Sequence, residues 1–279
     1  MKRLVCVILA FVALSYSAES VGLKVSPAEF ILHGVSPGKV YDIYRDTGVR
    51  ITIYNDNDTD NVYLITSHRP SEAGKWEKGY LEIPDAGWLT FDSTEVKIPA
   101  HGQENVNLFL ALPEGERYYN QNWVVTIGIM SKPASGISLG VYVRVRIETE
   151  RKERIKEKPD GLIGVVPGTL VFQQNETRKY VTIYNNTANT GVYKIHPLND
   201  GERVKTYLSA GFNPLPEISL LETEETVRIP AGGKRKIPVT LNLPDSGKSE
   251  EKPWEQVVFV EGNDITGFFR VRTIKKNEN

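Results

Sequence analysis

The 279-residue sequence predicts an all-β protein: two tandem antiparallel β-sandwiches behind an N-terminal signal peptide. Three observations predict this. First, the chain repeats itself. Ile51-Thr52-Ile53-Tyr54-Asn55 returns as Val181-Thr182-Ile183-Tyr184-Asn185, an offset of 130 that also carries Val62-Tyr63 onto Val192-Tyr193. Val96-Lys97-Ile98-Pro99-Ala100 returns as Val227-Arg228-Ile229-Pro230-Ala231, Leu112-Pro113 as Leu243-Pro244 and Trp123 as Trp254, all at an offset of 131. An offset this constant means two copies of one domain. Second, apolar residues alternate with polar ones at period two, the spacing of strands. Third, Lys2 and Arg3 precede an apolar run, Leu4 to Leu14, which small residues follow. That is the layout of a secretory signal, cleaved after Ser17 or after Ser20. The run is too short to span a bilayer, and an uncleaved anchor is the alternative to a cleaved signal.

The predicted organisation is a signal peptide at 1–20, a first sandwich at 21–148, a charged linker at 149–160, a second sandwich at 161–275 and a tail at 276–279. The lone cysteine, Cys6, lies in the signal peptide, so disulfides are excluded from the mature chain. A formal net charge of −1 offers no basic excess for nucleic acid or an anionic membrane. No second apolar segment is long enough for a transmembrane helix, so the product is expected to be exported, to the periplasm or the cell surface.

Within the copies the rows are explicit. Val106, Leu108, Leu110 and Leu112 share one face, as do Ile237, Val239, Leu241 and Leu243 in the second copy. Trp123, Val125, Ile127 and Ile129 form another row. Leu139, Val141, Val143, Val145 and Ile147 close the first copy, and Phe269-Arg270-Val271-Arg272 echoes them. Turn signals separate the rows: Pro27, Asn55-Asp56, Pro99 to Gly102, Pro113 to Gly115 and Asn185 to Gly191. About seven short strands per copy describe an immunoglobulin-like sandwich, without the cysteine pair of antibody domains. The first copy carries an insertion of 10 residues around Ser36 to Thr47. Residues 149–160 read as a solvated linker, with a short helical spacer as the alternative.

The chemistry-bearing residues are sparse. His33, His68, His101 and His196 are scattered, and the chain has no nucleophile elbow, zinc-helix, Walker or dinucleotide motif. The protein is therefore read as non-enzymatic and free of cofactors, with one exception to weigh. Asp56, Asp58 and Asp60 stand at i, i+2 and i+4, a candidate calcium loop. Against it, Asn61 and Ser67 stand where that loop pattern has Gly and Glu, the second copy has no carboxylate in this loop, and Asx residues are what a turn wants anyway. Asn57, Asn175 and Asn185 fit the N-glycosylation pattern. Trp76, Trp88, Tyr118 and Tyr119 offer flat aromatic faces for stacking on a sugar, or else cover loop ends. The final row of copy one, Val141, Val143, Val145 and Ile147, is a candidate edge strand to which a partner chain could pair; an ordinary buried strand is the alternative.

Val25-Ser26-Pro27, Ile51 to Asn55, Val96 to Ala100 and Leu112-Pro113 together give a pattern that resembles tandem immunoglobulin-like modules of cell envelopes. These include the periplasmic pilus chaperones and domains related to major sperm protein. The resemblance implies an exported two-domain protein whose partners are fibre or pilus subunits. It implies that the last strand of the first domain, with Val141, Val143, Val145 and Ile147, is lent to the subunit. That family anchors the subunit's terminal carboxylate with basic residues on its first and last strands; Lys24 and Arg144 or Arg146 stand nearest to those places. The proline-rich signature before the last strand is replaced by Lys132-Pro133-Ala134-Ser135-Gly136, and the two copies are more alike than chaperone domains are. The expectation is a protein-interaction protein that builds or chaperones a surface assembly, with a surface carbohydrate-binding module as the second reading. The insertion, acidic loop, extra aromatics and long final row all belong to copy one, which puts the expected working face there.

Overall fold

The computed structural model describes residues 18–20, 22–74, 76–132, 138, 140–173, 176–199, 201–243, 253–262 and 264–273. Most of the expected signal peptide, Leu139 and the tail lie outside these residues. The chain is mostly β and divides into two compact units. The first unit takes the described residues up to Glu77, with Glu82–Glu114 and Trp123–Glu148; the second takes Lys78–Leu81, Gly115–Asn122 and the described residues from Thr149 on.

Thirteen strands are described in the first half: β1 (Ala18–Ser20), β2 (Leu23–Ser26), β3 (Glu29–Val35), β4 (Val40–Asp42), β5 (Ile51–Asn55), β6 (Asn61–His68), β7 (Leu81–Glu82), β8 (Leu89–Phe91), β9 (Glu95–Ile98), β10 (Gln103–Val106), β11 (Leu108–Ala111), β12 (Asn122–Ser131) and β13 (Gly140–Thr149). They form sheets ordered β1-β2-β5-β10, β4-β11-β8 and β3-β13-β12-β6-β9. The period-two pattern sets the register. Val25 pairs with Ile53, and Ile129 with Ile65, so apolar residues of neighbouring strands share the inner face. Val25, Ile53, Ile65, Ile98, Leu108, Trp123 and Ile127 are all buried there. Each aliphatic side chain so buried contributes about 1.5–3 kcal/mol. The insertion becomes β4 and a single-turn helix, α1 (Ile43–Thr47). Asp42 caps α1 by accepting from the Arg45 N–H at 3.1 Å, Gly48 ends it at φ 78°, and Ile43 plugs it into the core.

The second half repeats the plan with β14 (Ile163–Val166), β15 (Thr169–Phe172), β16 (Arg178–Asn185), β17 (Gly191–Pro197), β18 (Asn213–Pro214), β19 (Leu221–Thr223), β20 (Thr226–Ile229), β21 (Lys234–Leu241), β22 (Trp254–Gly262) and β23 (Ile265–Thr273). The sheets run β14-β16-β21-β19 and β15-β23-β22-β17-β20. Val181, Ile183, Ile195, Ile237, Val239, Trp254, Phe269 and Val271 belong to one continuous core. Residues 150–160 contain neither strand nor helix. They are tied down within the second unit. Glu116 accepts from the Lys156 N–H, and Lys158 Nζ donates to the Gly232 carbonyl at 2.9 Å. No helix among the described residues is long and apolar enough to cross a membrane.

Candidate functional site

The last row of copy one is β13, and the sheet order sets it between β3 and β12. Val141 is 5% exposed, and Val143, Val145 and Ile147 are fully buried. Their side chains build the first unit's own core, which corrects the expectation that this row is held out to a partner. A row at period two must point to one side of its sheet, and here that side is inward.

What β13 does offer is backbone. Arg144 N donates to the Ala28 carbonyl at 3.0 Å, where β3 begins. Glu29 lies beside Arg144 and Arg146, and His33, four residues on, meets Glu148. The two strands are therefore parallel, as β15 and β23 are in the second unit, where Arg270 N makes the same bond to the Gly168 carbonyl. It follows that β3 covers β13 only from Arg144 onward. Gly140 to Val143 precede the start of β3, and among the described residues no strand pairs them on the side away from β12. The Tyr142 N–H, two residues before Arg144, points to that open side, because amides alternate along a strand.

Side chains fix this edge from its outer face. The Arg144 guanidinium donates to Glu77 at 2.5 Å and Glu29 at 3.2 Å, and Arg146 approaches Glu29 at 3.6 Å. Tyr142 meets His68 edge-on with ring centroids 6.3 Å apart, across Gly128. A Cβ at Gly128 would stand 2.9 Å from the His68 ring, so this glycine is what lets the two rings meet. Lys24 in β2 lies over the Tyr54 ring at 5.9 Å. The basic residues expected to hold a carboxylate, Arg144 and Arg146, already have carboxylates of their own.

The aromatic candidates do not form one platform. Trp76 is 56% exposed, whereas Trp88 is half-buried and packs on Trp123 at 5.7 Å between centroids. Tyr118 and Tyr119 belong to the second unit. Tyr118 is buried, with Arg117 stacked on its ring, and the Lys152 ammonium stands 4.0 Å from the ring centroid of Tyr119. With Tyr118 buried and Trp88 packed on Trp123, the second reading, a carbohydrate platform on these residues, is not favoured.

Two of the three aspartates are turned to separate partners. Asp58 lies 3.1 Å from His101; Asp60 lies 3.2 Å from Lys97 and accepts from the Ala100 N–H. The hydrogen bond from Lys97, with that from Ala100, lowers the Asp60 pKa. Among the described residues no three metal-ligating side chains converge. The Asx residues of this loop are organised by Asn55, which is buried and accepts from Asn57, Asn61 and Tyr63. Asn185 is its fully buried counterpart, donating to three carbonyls, so this sequon amide is closed to modification. Asn175 lies outside the described residues.

A buried charge cluster in the second unit was not anticipated. Glu255 is fully buried between Arg270 and Arg272 and accepts from the Ser209 N–H at 2.7 Å. Arg270 also donates to the Tyr207 carbonyl, and Arg272 to the Ser209 hydroxyl. The cluster pins the segment after the helix α2 (Gly201–Tyr207) onto β22 and β23. Glu255 and Gln256 stand between Trp254 and the apolar run Val257 to Val260, and that break is the available signal.

No protein-family model and no curated protein matches the chain. Solved structures do. A protein of unknown function from Porphyromonas gingivalis W83 is 14% identical over 90% of this chain and 99% of its own, with a TM-score of 0.34. The E. coli chaperone DraB is 12% identical over 91% and 96%, with a TM-score of 0.30. The class 5 fimbriae chaperone CfaA is 12% identical over 91% and 100%, with a TM-score of 0.33. At these identities and TM-scores the matches assign no residue of this chain a role.

Proposed function

We propose that this chain is an exported, non-enzymatic protein-interaction protein of the cell envelope, which chaperones or builds a surface assembly by strand pairing. The observation that carries the reading is the open edge at Gly140 to Val143. Unpaired amides and carbonyls in extended register are a template for another chain, and a partner strand added there would gain main-chain hydrogen bonds. The face beside the edge is held rigid by Arg144, Glu29 and Glu77, so the template is preformed. Extended segments of exported fibre or pilus subunits are the partner class of this proposal, with the periplasm or cell surface as the place of encounter.

The test uses the direction of one amide. Tyr142→Pro removes the outward N–H and leaves the ladder to β12 intact, since prolines are tolerated on edges. Tyr142→Ala removes the ring and keeps the N–H. Co-purification of an exported partner from the native host should survive the alanine change and be lost with proline. Retention of the partner by Tyr142→Pro, in a protein that melts as wild type does, would sink the reading.

A further inference from the structure

The two units differ in one place that the fold does not require: the outer face of β16 and β21. Four cross-strand rungs stand in line there. Tyr184 pairs with Lys234, Thr182 with Lys236, Tyr180 with Pro238 and Arg178 with Thr240. Residues two apart on a strand share a face, so all eight belong to one surface, roughly 20 Å long at about 6.8 Å per rung. Arg178, Tyr180, Lys234 and Lys236 are exposed.

None of the three cations has a carboxylate partner among the described residues. They lie over rings instead. Lys236 stands 4.3 Å and Arg178 5.7 Å from the Tyr180 centroid, and Lys234 stands 5.4 Å from that of Tyr184. The acids nearby are engaged at the margins: Glu176 with Lys179, Glu224 with Arg235, and Glu222, beside Thr240, with the Asn242 amide. The register-matched residues of the first unit are Gln103, opposite Tyr54, and Asn105, opposite Thr52. One sandwich is thus built with amides where the other carries lysines, so the cations are not needed to fold it.

We infer that this face binds an acidic polysaccharide. Charge complementarity calls for a polyanion, because three unpaired cations in line on a chain of net charge −1 form a local positive strip. Both strands are internal to their sheet, so their backbone is already paired and a peptide cannot add as a strand. Recognition must therefore come from side chains. Tyr180, 45% exposed, and its partner Pro238 form an apolar shelf between Lys236 and Arg178. A sugar ring can lay its C–H face on that shelf while its carboxylates reach the cations. This site is independent of the strand edge in the first unit and of the aromatics expected there.

The experiment is retention and titration of the full chain on polygalacturonate, with dextran, polyglutamate and single-stranded oligothymidylate as comparisons. Binding to polygalacturonate should be salt-sensitive, and dextran should not bind. The double change Lys234→Gln with Lys236→Asn restores the residues the first unit uses, so the fold should hold while affinity falls about tenfold. Tyr180→Ala should weaken polygalacturonate binding and leave any binding to polyglutamate unmoved. Absence of binding, equal binding to polyglutamate or oligothymidylate, or indifference to both variants would each overturn the inference.

Discussion

Asn55 and Asn185 occupy the same place in the two units, each fully buried at the end of a repeated Ile-Tyr-Asn strand. Asn55 Nδ2 donates to the carbonyls of Thr59, Ile98 and Pro99; Asn185 Nδ2 donates to those of Asn189, Ile229 and Pro230. The amide ties one hairpin loop to the Ile-Pro turn beside it, which is why both motifs repeat together. Alanine at either position leaves buried carbonyls without donors, and should cost that unit about 3 kcal/mol in chemical denaturation. Aspartate, of the same shape, should not rescue, since it offers acceptors to acceptors.

Glu255 with Arg270 and Arg272 should show in the pH dependence of stability. Burial by itself raises the Glu255 pKa; the charges of Arg270 and Arg272, with the Ser209 N–H, outweigh it and leave the group below the usual carboxylate range. A depressed pKa stabilises the fold above the unfolded value, and that stability fades as pH falls through the folded one. The second unit should therefore hold its stability from neutral pH down to about 4.5 and lose it below, as followed by denaturant melts. Glu255→Gln should cost about 3–5 kcal/mol at neutral pH, since it strands the buried Arg270 guanidinium and takes the ion-pair partner from the half-buried Arg272, and should flatten the acid limb.

How much of this was legible in the sequence follows from what each feature depends on. Rows such as Ile127 and Ile129, or Val239 and Leu241, announce themselves because period two is local. The sheet order is not local. Whether Val143 faces a partner or its own core depends on β3, which begins more than a hundred residues earlier in the chain, and alternation reads the same in both cases. The acidic loop misled for a related reason. Asp56, Asp58 and Asp60 have a ligand's spacing, yet the loop is shaped by Asn55, whose repeat as Asn185 looks in the sequence like turn composition. The basic face is hidden in the sequence because Lys234 and Lys236 sit 50 residues or more from Arg178 and Tyr180, and only strand pairing lines them up.

Val143 separates a core role from a display role. Val143→Asp puts a carboxylate into a fully buried site with no donor, and should cost about 3 kcal/mol or more. Any loss of partner with this variant would report unfolding. Tyr142→Ala, on the outer face, should cost the first unit less than about 1.5 kcal/mol, the worth of its ring contact with His68. A wild-type melting curve for Val143→Asp would show that the row is displayed after all.

Calcium offers the opposite kind of check. Asp58 is turned to His101 and Asp60 to Lys97, so a cation entering the loop would have to displace both partners before it gained two ligands. A hard cation needs several oxygens converging at once, and the hydrogen bonds of Asn55 hold the loop in a shape that sends these carboxylates outward. Millimolar calcium should therefore leave the melting temperature where it is, and Asp58→Asn should change neither the melt nor its response to the ion. A rise with calcium that disappears in Asp58→Asn would mean the loop rearranges around a metal. In that case Asn55→Ala, by freeing the loop, should make the calcium response larger.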